Sequence, residues 1–485
     1  GGSPARIANF VRTQFYIKSD GDGYNMADGA ILNGCDCSFG FDTISSGVAV
    51  SPKIRFVRWV NPPSGNNQAD PMGSVRGLTL WSATNPDNSV ISWRVVLDNS
   101  GSPVSNAIAA EGINGCIMRF VQGSTASHGV QFILPDTSET ADHPYYIANA
   151  NFDNADITVD ADGNDASHIA LINCRQKDAT FNIDYKTEIN IYSKKVFIDD
   201  CEFIKCFTKL NQVSPSSVDE QFINNSKFFF LDSEGYRNIF SNIQVGGPIV
   251  GVGHLNIQPI DPSGSAAPAA VYISNSYIDG AISIDCGTGN MVQISNLEQV
   301  DGSLTIASGQ TIELNNIRTG NDIDITFSGI GELLMSDVRA AGVITIADAD
   351  SMDVQMSTVY GGLELTCDDS LLNFNAVGCV FNSCSITADT IAQYKMAGCT
   401  ASDFSLSNAD TTIVVPNYNF TGNTFNGITA FSLTHGAGVT GLLAFNANHV
   451  RISSTSFPTT FTMDKATFTG NTTLSGTSVT NAQAL

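Results

Sequence analysis

Apolar and polar positions follow one short pattern that keeps returning from about Asn149 to Asn471. Two apolar residues alternate, a small polar turn residue follows, then a small residue, and one more apolar residue two places on. Early copies read Tyr145-Tyr146-Ile147-Ala148-Asn149-Ala150-Asn151-Phe152, Val196-Phe197-Ile198-Asp199-Asp200-Cys201-Glu202-Phe203 and Val271-Tyr272-Ile273-Ser274-Asn275-Ser276-Tyr277-Ile278. Later copies turn at Asn296, Asn316, Asp337, Thr358, Gly378, Gly398, Gly422 and Gly470. From 275 to 398 the turn positions are 20 or 21 residues apart. A repeat of this length sets the architecture before any single residue is weighed.

Within each copy the alternation predicts a strand with one buried face. A second alternating segment follows about ten residues on, as in Ile282-Ser283-Ile284, Leu304-Thr305-Ile306 and Leu363-Glu364-Leu365. Strand, turn, strand, turn in roughly 20 residues predicts one coil of a parallel β-helix, an all-β solenoid of ~20–24 residues per coil. The Leu-x-x-Leu-x-Leu signature of leucine-rich repeats is absent, and so is the 3.6-residue period of helical repeats.

Stacking places equivalent residues in files. Asn or Asp at the turn then bonds to the next coil, and Gly at the same corner supplies positive φ. The in-phase Asn149, Asn173, Asp200, Asn225, Asn242, Asn275, Asn296 and Asn316 are therefore expected to be a structural ladder. The cysteines keep the same register. Cys116, Cys174, Cys201, Cys379 and Cys399 all follow the turn residue, while Cys286 and Cys367 lie beyond the second strand. This predicts buried free thiols acting as small apolar plugs, in a chain folded in a reducing cytosol. Cys35 and Cys37 have metal-like spacing, but no second Cys or His pair accompanies them, so no metal is expected there.

Charge narrows the partners. The 485 residues carry 47 acidic and 23 basic side chains, a net charge of −24, with only 14% charged residues. An acidic surface argues against nucleic acid. The sequence shows no apolar run of about 18 residues and no signal-peptide pattern, which argues against membrane insertion. The opening Gly1-Gly2-Ser3 reads as a cloning remnant, which suggests that an N-terminal portion is missing.

Residues 1–110 lack a clean repeat and read as a β-rich cap over the open end of the solenoid, whose exposed edge needs covering. Trp59, Trp81 and Trp93, the Pro62-Pro63 turn and the polar stretch 65–68 lie here. The tryptophans suit either core packing or a sugar platform. The solenoid is expected over 111–471, with loop-rich coils at 111–274, regular coils at 275–410, longer coils at 411–471, and a tail at 472–485.

Coils with an Asn-rich corner resemble the right-handed β-helix of the pectin-lyase-like superfamily. The stretch Ser19-Asp20-Gly21-Asp22-Gly23-Tyr24-Asn25-Met26-Ala27-Asp28-Gly29-Ala30-Ile31 is similar to the Gly-Asp-Gly…Ala-Ile opening of many bacteriophage tailspikes, without their paired Asp-Asp-Thr. The resemblance implies a right-handed coil and a homotrimer on the virion, attached to other phage tail or baseplate proteins. It also implies binding, and often cutting, of bacterial surface polysaccharide. It covers no catalytic motif.

Extra residues in the coils between Asn149 and Asn275 must leave the solenoid as loops, which places a groove beside 145–265. Glycoside hydrolysis needs two carboxyl groups, near 5–5.5 Å apart for retention or roughly 6.5–9.5 Å for inversion. The densest acidic set there is Asp199, Asp200 and Glu202. Glu202 is expected to share a file with Arg175 and Lys227, which suits either an acidic sugar or a solvated charge ladder. Asp232 and Glu234 are expected in a loop with Tyr236 and Arg237, where a ring would stack on sugar and desolvate a carboxyl. The candidate catalytic residues are thus Glu202, Asp199, Asp232 and Glu234, and the substrate-binding candidates Arg175, Lys227, Tyr236 and Arg237.

Two further acidic pairs are expected to align: Asp160 with Asp184, which a structural calcium ion would bridge, and Asp324 with Glu364 on a smooth face two coils apart. No other cofactor is called for. A lyase base would point to His143, and a serine esterase lacks its Gly-x-Ser-x-Gly. The sequence reading is therefore a trimeric phage tailspike or fibre subunit that folds in the host cytoplasm and depolymerises capsule or O-antigen at the cell surface. Tyr277 and Tyr360, which share an outward file, are expected to pack between its subunits. A non-enzymatic structural or receptor-binding fibre is the alternative.

Overall fold

In the computed structural model the described residues are 145–153, 155–160, 168–176, 187–211, 220–246, 253–258, 269–286, 290–348, 351–408 and 417–425. Strands between Gln14 and Ile133 and between Phe431 and Thr480, with Asn448, complete the set. Residues 19–31, Cys35, Cys37, Pro62, Pro63, 65–68, His143, Asp184 and Gly470, and the side chain of Trp59, lie outside it. Every described element is a strand or turn, and no helix long and apolar enough to cross a membrane is among them.

Chain contacts divide the protein into two units, Gly1–Ile249 with Pro262–Gly264, and Val250–Asp261 with Ser265–Leu485. Each is a parallel β-solenoid. The sequence predicts two strands per coil, whereas each coil has three strand segments. The first ends at the corner, the second begins just after it, and the third lies beyond a bend. The second and third read as one strand in Glu202–Asn211, where the register shifts between Phe203 and Phe207. Such an irregularity lets one strand serve two sheets.

In the first unit the first sheet stacks Ile113, Ile147, Leu171, Ile198, Ile223 and Phe240 in one inward file. All are buried, and each contributes roughly 2 kcal/mol of burial free energy. Beyond the corner, Phe152, Phe203 and Phe228 pack in sequence with ring centroids 6.3 and 5.9 Å apart. Parallel pairing also reaches into the first 110 residues. Val75–Ser82 pairs with Gly112–Phe120, and Val90–Leu97 with His128–Ile133. Arg58–Trp59 and Ala107–Ile108 form a separate antiparallel pair. Trp93 is 0% exposed, which makes it core and not a sugar platform.

In the second unit the first sheet files Val292, Ile312, Leu333, Val354, Phe374, Tyr394 and Tyr418 inward. All are buried. Within the tail, Thr473–Ser475 and Val479–Thr480 pair in parallel with His449–Arg451 and Thr455–Ser456.

The corners are as expected. Asn149, Asn173, Asp200, Asn225 and Asn242 in the first unit all have φ between 48° and 54°. So do Asn275, Asn296, Asn316 and Asp337 in the second, ahead of Gly378, Gly398 and Gly422 at 62–64°. Side-chain amides link them, Asn173 to Asn149 at 2.7 Å and Asn316 to Asn296 at 2.8 Å. This stack decides register, because a slip of one residue would send every inward apolar side chain outward. The nine described cysteines are free and buried. Burial pushes the thiols of Cys116, Cys206 and Cys384 well up, and that of Cys286 to about 12, so they are inert plugs.

Thr358 is the outlier, a β-branched residue at φ 56° in a position made for Asn or Gly. Thr358→Asn is expected to stabilise the protein by about 1 kcal/mol, by relieving that backbone strain. An upward shift of the urea midpoint checks it, and an unchanged or lower midpoint counts against strain at this corner.

Candidate functional site

The eight residues singled out from sequence fall into separate places in the first unit. Arg175, Glu202 and Lys227 do share one outward file of the second sheet. Lys227 Nζ lies 3.5 Å from Glu202 Oε1, and Arg175 donates to Asn173 Oδ1 at 3.3 Å. Asp199 sits on the other side of the corner, at the end of the first sheet. Its Oδ1 accepts from Asn224 and Asn225 at 3.2 and 3.3 Å, so Asp199 belongs to the corner network. The left-handed Asp200 and the buried Cys201 stand between it and Glu202. This arrangement is a partly solvated charge ladder of modest stabilising value.

The expected loop at 232–237 is not a loop. Asp232 lies in the strand Lys227–Ser233, and Arg237 opens the strand Arg237–Ser241. The turn between them is tied down. Ser233 Oγ donates to Asn238 Oδ1 at 2.6 Å, and Asn238 Nδ2 donates to the Gly235 carbonyl at 2.7 Å. Tyr236 is only 3% exposed, so its ring is core and cannot stack on a sugar. Arg237 lies 3.7 Å from Glu220, whose other oxygen is 2.8 Å from Lys195. Asp160 pairs across the coil with Tyr192 and accepts from Gln131 at 3.3 Å. Asp324 and Glu364 stand in the third sheet of the second unit, in register with Thr305 and Thr345.

The third sheet of the first unit gathers the chemistry. One outward file runs Asp156, Glu188, Phe207, Phe230. The next runs Gln131, Thr158, Asn190, Lys209, Asp232. A third carries Asp160, Tyr192 and Asn211, and Glu234 bonds through its backbone N–H to the Leu210 carbonyl just beside it. Asp232 and Glu234 are therefore brought to this face, while Glu202 and Asp199 are not. The strand ends here are where the extra residues of the long coils, 161–167, 177–186 and 212–219, join.

Asp156 and Glu188 were missed by sequence reasoning. Each opens its strand ahead of an Ile-x-apolar run, Asp156-Ile157-Thr158-Val159 and Glu188-Ile189-Asn190-Ile191. That shared phrase is the available signal. Asp156 Oδ1 accepts the Glu188 backbone N–H at 3.0 Å, and Asn190 Nδ2 donates to Glu188 Oε2 at 3.2 Å. Burial pushes the Asp156 carboxyl up to about 6. The Glu188 N–H bond pulls the other way, and the Glu188 carboxylate adds to the rise. Beside them the Phe207 and Phe230 rings stack at 4.4 Å, and Tyr192 is 37% exposed. A proton carrier near neutrality, a second carboxylate one coil away, amides and aromatic rings together can protonate a leaving oxygen and hold a sugar.

Among the described residues no group of three or more His, Cys, Asp or Glu is placed to share a metal ion. No protein-family model, curated protein or solved structure matches the chain.

Proposed function

We propose that this protein is the glycan-recognising subunit of a phage tailspike or tail fibre, working as a homotrimer. In this reading it depolymerises a bacterial surface polysaccharide with Asp156 as general acid and Glu188 as nucleophile. The observation that carries the reading is the Asp156–Glu188 pair on the third sheet, flanked by stacked Phe207 and Phe230. Neighbouring coils set backbones ~4.8 Å apart, close to the ~5 Å carboxyl separation of retaining glycosidases. Asp232 and Glu234 supply further acidic groups along the same face, and Asn190, Asn211 and Tyr192 suit sugar hydroxyls and ring faces. The laddered parallel solenoid and its buried free thiols fit a virion part folded in a reducing cytosol.

The test is incubation with capsule and O-antigen preparations from many strains, followed by mass spectrometry and proton NMR. Shortened oligosaccharides whose new reducing ends keep the parent anomeric configuration are the expected result. Glu188→Gln is expected to lower cutting by about a thousandfold, and Glu202→Gln to leave it within about threefold, since Glu202 belongs to the ladder. Cutting that survives Glu188→Gln would place the chemistry elsewhere. Binding without cutting would favour a receptor-binding fibre, and neither across a broad panel would favour a spacer.

A further inference from the structure

The second unit holds a groove away from the long coils, among residues 293–377. It is a cavity of about 570 Å³ on the outer side of the first sheet, among the regular coils between Gln293 and Val377. That volume lies in the usual range for small-ligand sites. Two outward files make its floor. In one, Gln293, Glu313, Leu334, Gln355 and Asn375 follow each other coil by coil. In the other, Asn315, Ser336 and Ser357 do the same.

The chemistry of that floor is specific. Amides and hydroxyls lie beside the apolar Leu334 and Val377, and the lining contains one carboxylate, Glu313, and no lysine or arginine. Such a surface pairs with hydroxyls and with the C–H faces of rings, and it repels polyanions. Gln293 Nε2 donates to Glu313 Oε2 at 2.9 Å, which fixes one end of the file. At the other end Asn375 lines the groove with its Oδ1 turned inward and buried.

Spacing supplies the direction. The files cross the strands, so their polar groups recur every ~4.8 Å along the coil axis. That is about the length of one pyranose ring in an extended, equatorially linked chain, so each coil meets one sugar. Five coils span roughly 19 Å, enough for four to five sugars.

We propose that this groove binds a neutral, extended glycan lying across the strands, one sugar per coil, as a site separate from the carboxylate face of the first unit. It holds polymer without cleaving it. Holding a chain at a second place raises the effective concentration of polymer at any cutting site, but the groove stands as a binding site whether or not the first unit cleaves.

Calorimetric titration of the full chain with defined oligosaccharides tests it. β-1,4-linked glucose and N-acetylglucosamine oligomers serve as neutral extended probes, α-1,4-linked glucose hexamer as a coiled one, and a β-1,4-linked mannuronate hexamer as a charged one. At least one neutral extended hexamer is expected to bind, with affinity rising from two to five sugars and then levelling. The coiled and charged hexamers are expected to bind at least about tenfold more weakly. Gln355→Ala and Asn375→Ala are each expected to weaken binding by about tenfold. Ser336→Tyr, an outward strand position that tolerates an aromatic ring, is expected to abolish it with the thermal midpoint preserved. Glu188→Gln is expected to leave it unchanged, which separates this site from the proposed cutting face. Absence of binding by both neutral hexamers overturns the proposal. So does binding that ignores chain length, or that survives Ser336→Tyr, and concentration-dependent self-association lost in Ser336→Tyr would assign the groove to a second copy of the chain.

Discussion

Phe203→Ala is expected to destabilise the first unit by about 3–5 kcal/mol, the usual cost of truncating a buried phenylalanine. Phe203 is fully buried, packed between the rings of Phe152 and Phe228 and paired in register with Gln176 and Phe228. Its loss removes dispersion contacts on two neighbouring coils and leaves a void that a hydrogen-bonded stack cannot collapse to fill. In a solenoid each coil contacts mainly its neighbours, so the damage is expected to be local. Amide exchange should accelerate by roughly a hundredfold or more in the flanking strands His168–Ile172, Lys195–Asp199 and Glu220–Asn224. The regular strands of the second unit should change little. Phe203→Leu, which retains most of the volume, is expected to cost less than half as much. Uniform acceleration across both units would show that the coils unfold as one, and an effect under about 1 kcal/mol would mean the ring is not a packing element.

The corners were legible because left-handed backbone has few tolerant side chains. Asn149, Asn173, Asp200, Asn225, Asn242, Asn275, Asn296 and Asn316 advertise that conformation, and Gly378, Gly398 and Gly422 complete it. The inward files were legible for a related reason, since a strand with one buried face must alternate. The third sheet was harder. Corner spacing from Asn149 to Asn173 is 24 residues, which aligns Asp160 with Asp184. Residues 177–186 enter after the corner, however, so Ile157 stacks on Ile189, 32 residues on. Corner spacing carries no information about where such an insertion falls, and the Asp156–Glu188 pair was missed for that reason. Tyr236 misled in the opposite sense. Gly235 and Tyr236 read as a loop by composition, but Ser233 and Asn238 clamp them into a tight turn. The groove of the second unit has no motif at all. Gln293, Gln355 and Asn375 are ordinary outward residues until stacking sets them in one file.

The Asp156→Asn variant is expected to lose cutting activity by about a thousandfold while becoming more stable than the parent at neutral pH. The sign follows from linkage. Asp156 titrates near 6 in the folded chain against an ordinary value of 3.8. Below pH ~4 the carboxyl is protonated in both states and contributes nothing to the pH dependence. Between about 4 and 6 the unfolded chain releases its proton while the folded chain keeps it, so folding stability declines as pH rises. Above about 6 both are ionised and the folded state carries a constant penalty on the order of 3 kcal/mol. Asparagine carries no charge to desolvate beside Glu188, and its Oδ1 can still accept the Glu188 N–H that Asp156 holds at 3.0 Å. Urea titrations should therefore coincide for parent and variant near pH 4 and diverge by about 1–3 kcal/mol at pH 7.5, the variant being the more stable. Comparing the two chains cancels the contribution of acidic groups remote from Asp156. If Asp156 is the general acid, parent activity should also fall as pH passes 6, because the reacting form is the protonated one. An ordinary strand-capping aspartate predicts the reverse, a variant equal to or weaker than the parent at pH 7.5. That result would rule out a destabilising buried carboxylate at Asp156 and the proposed acid with it.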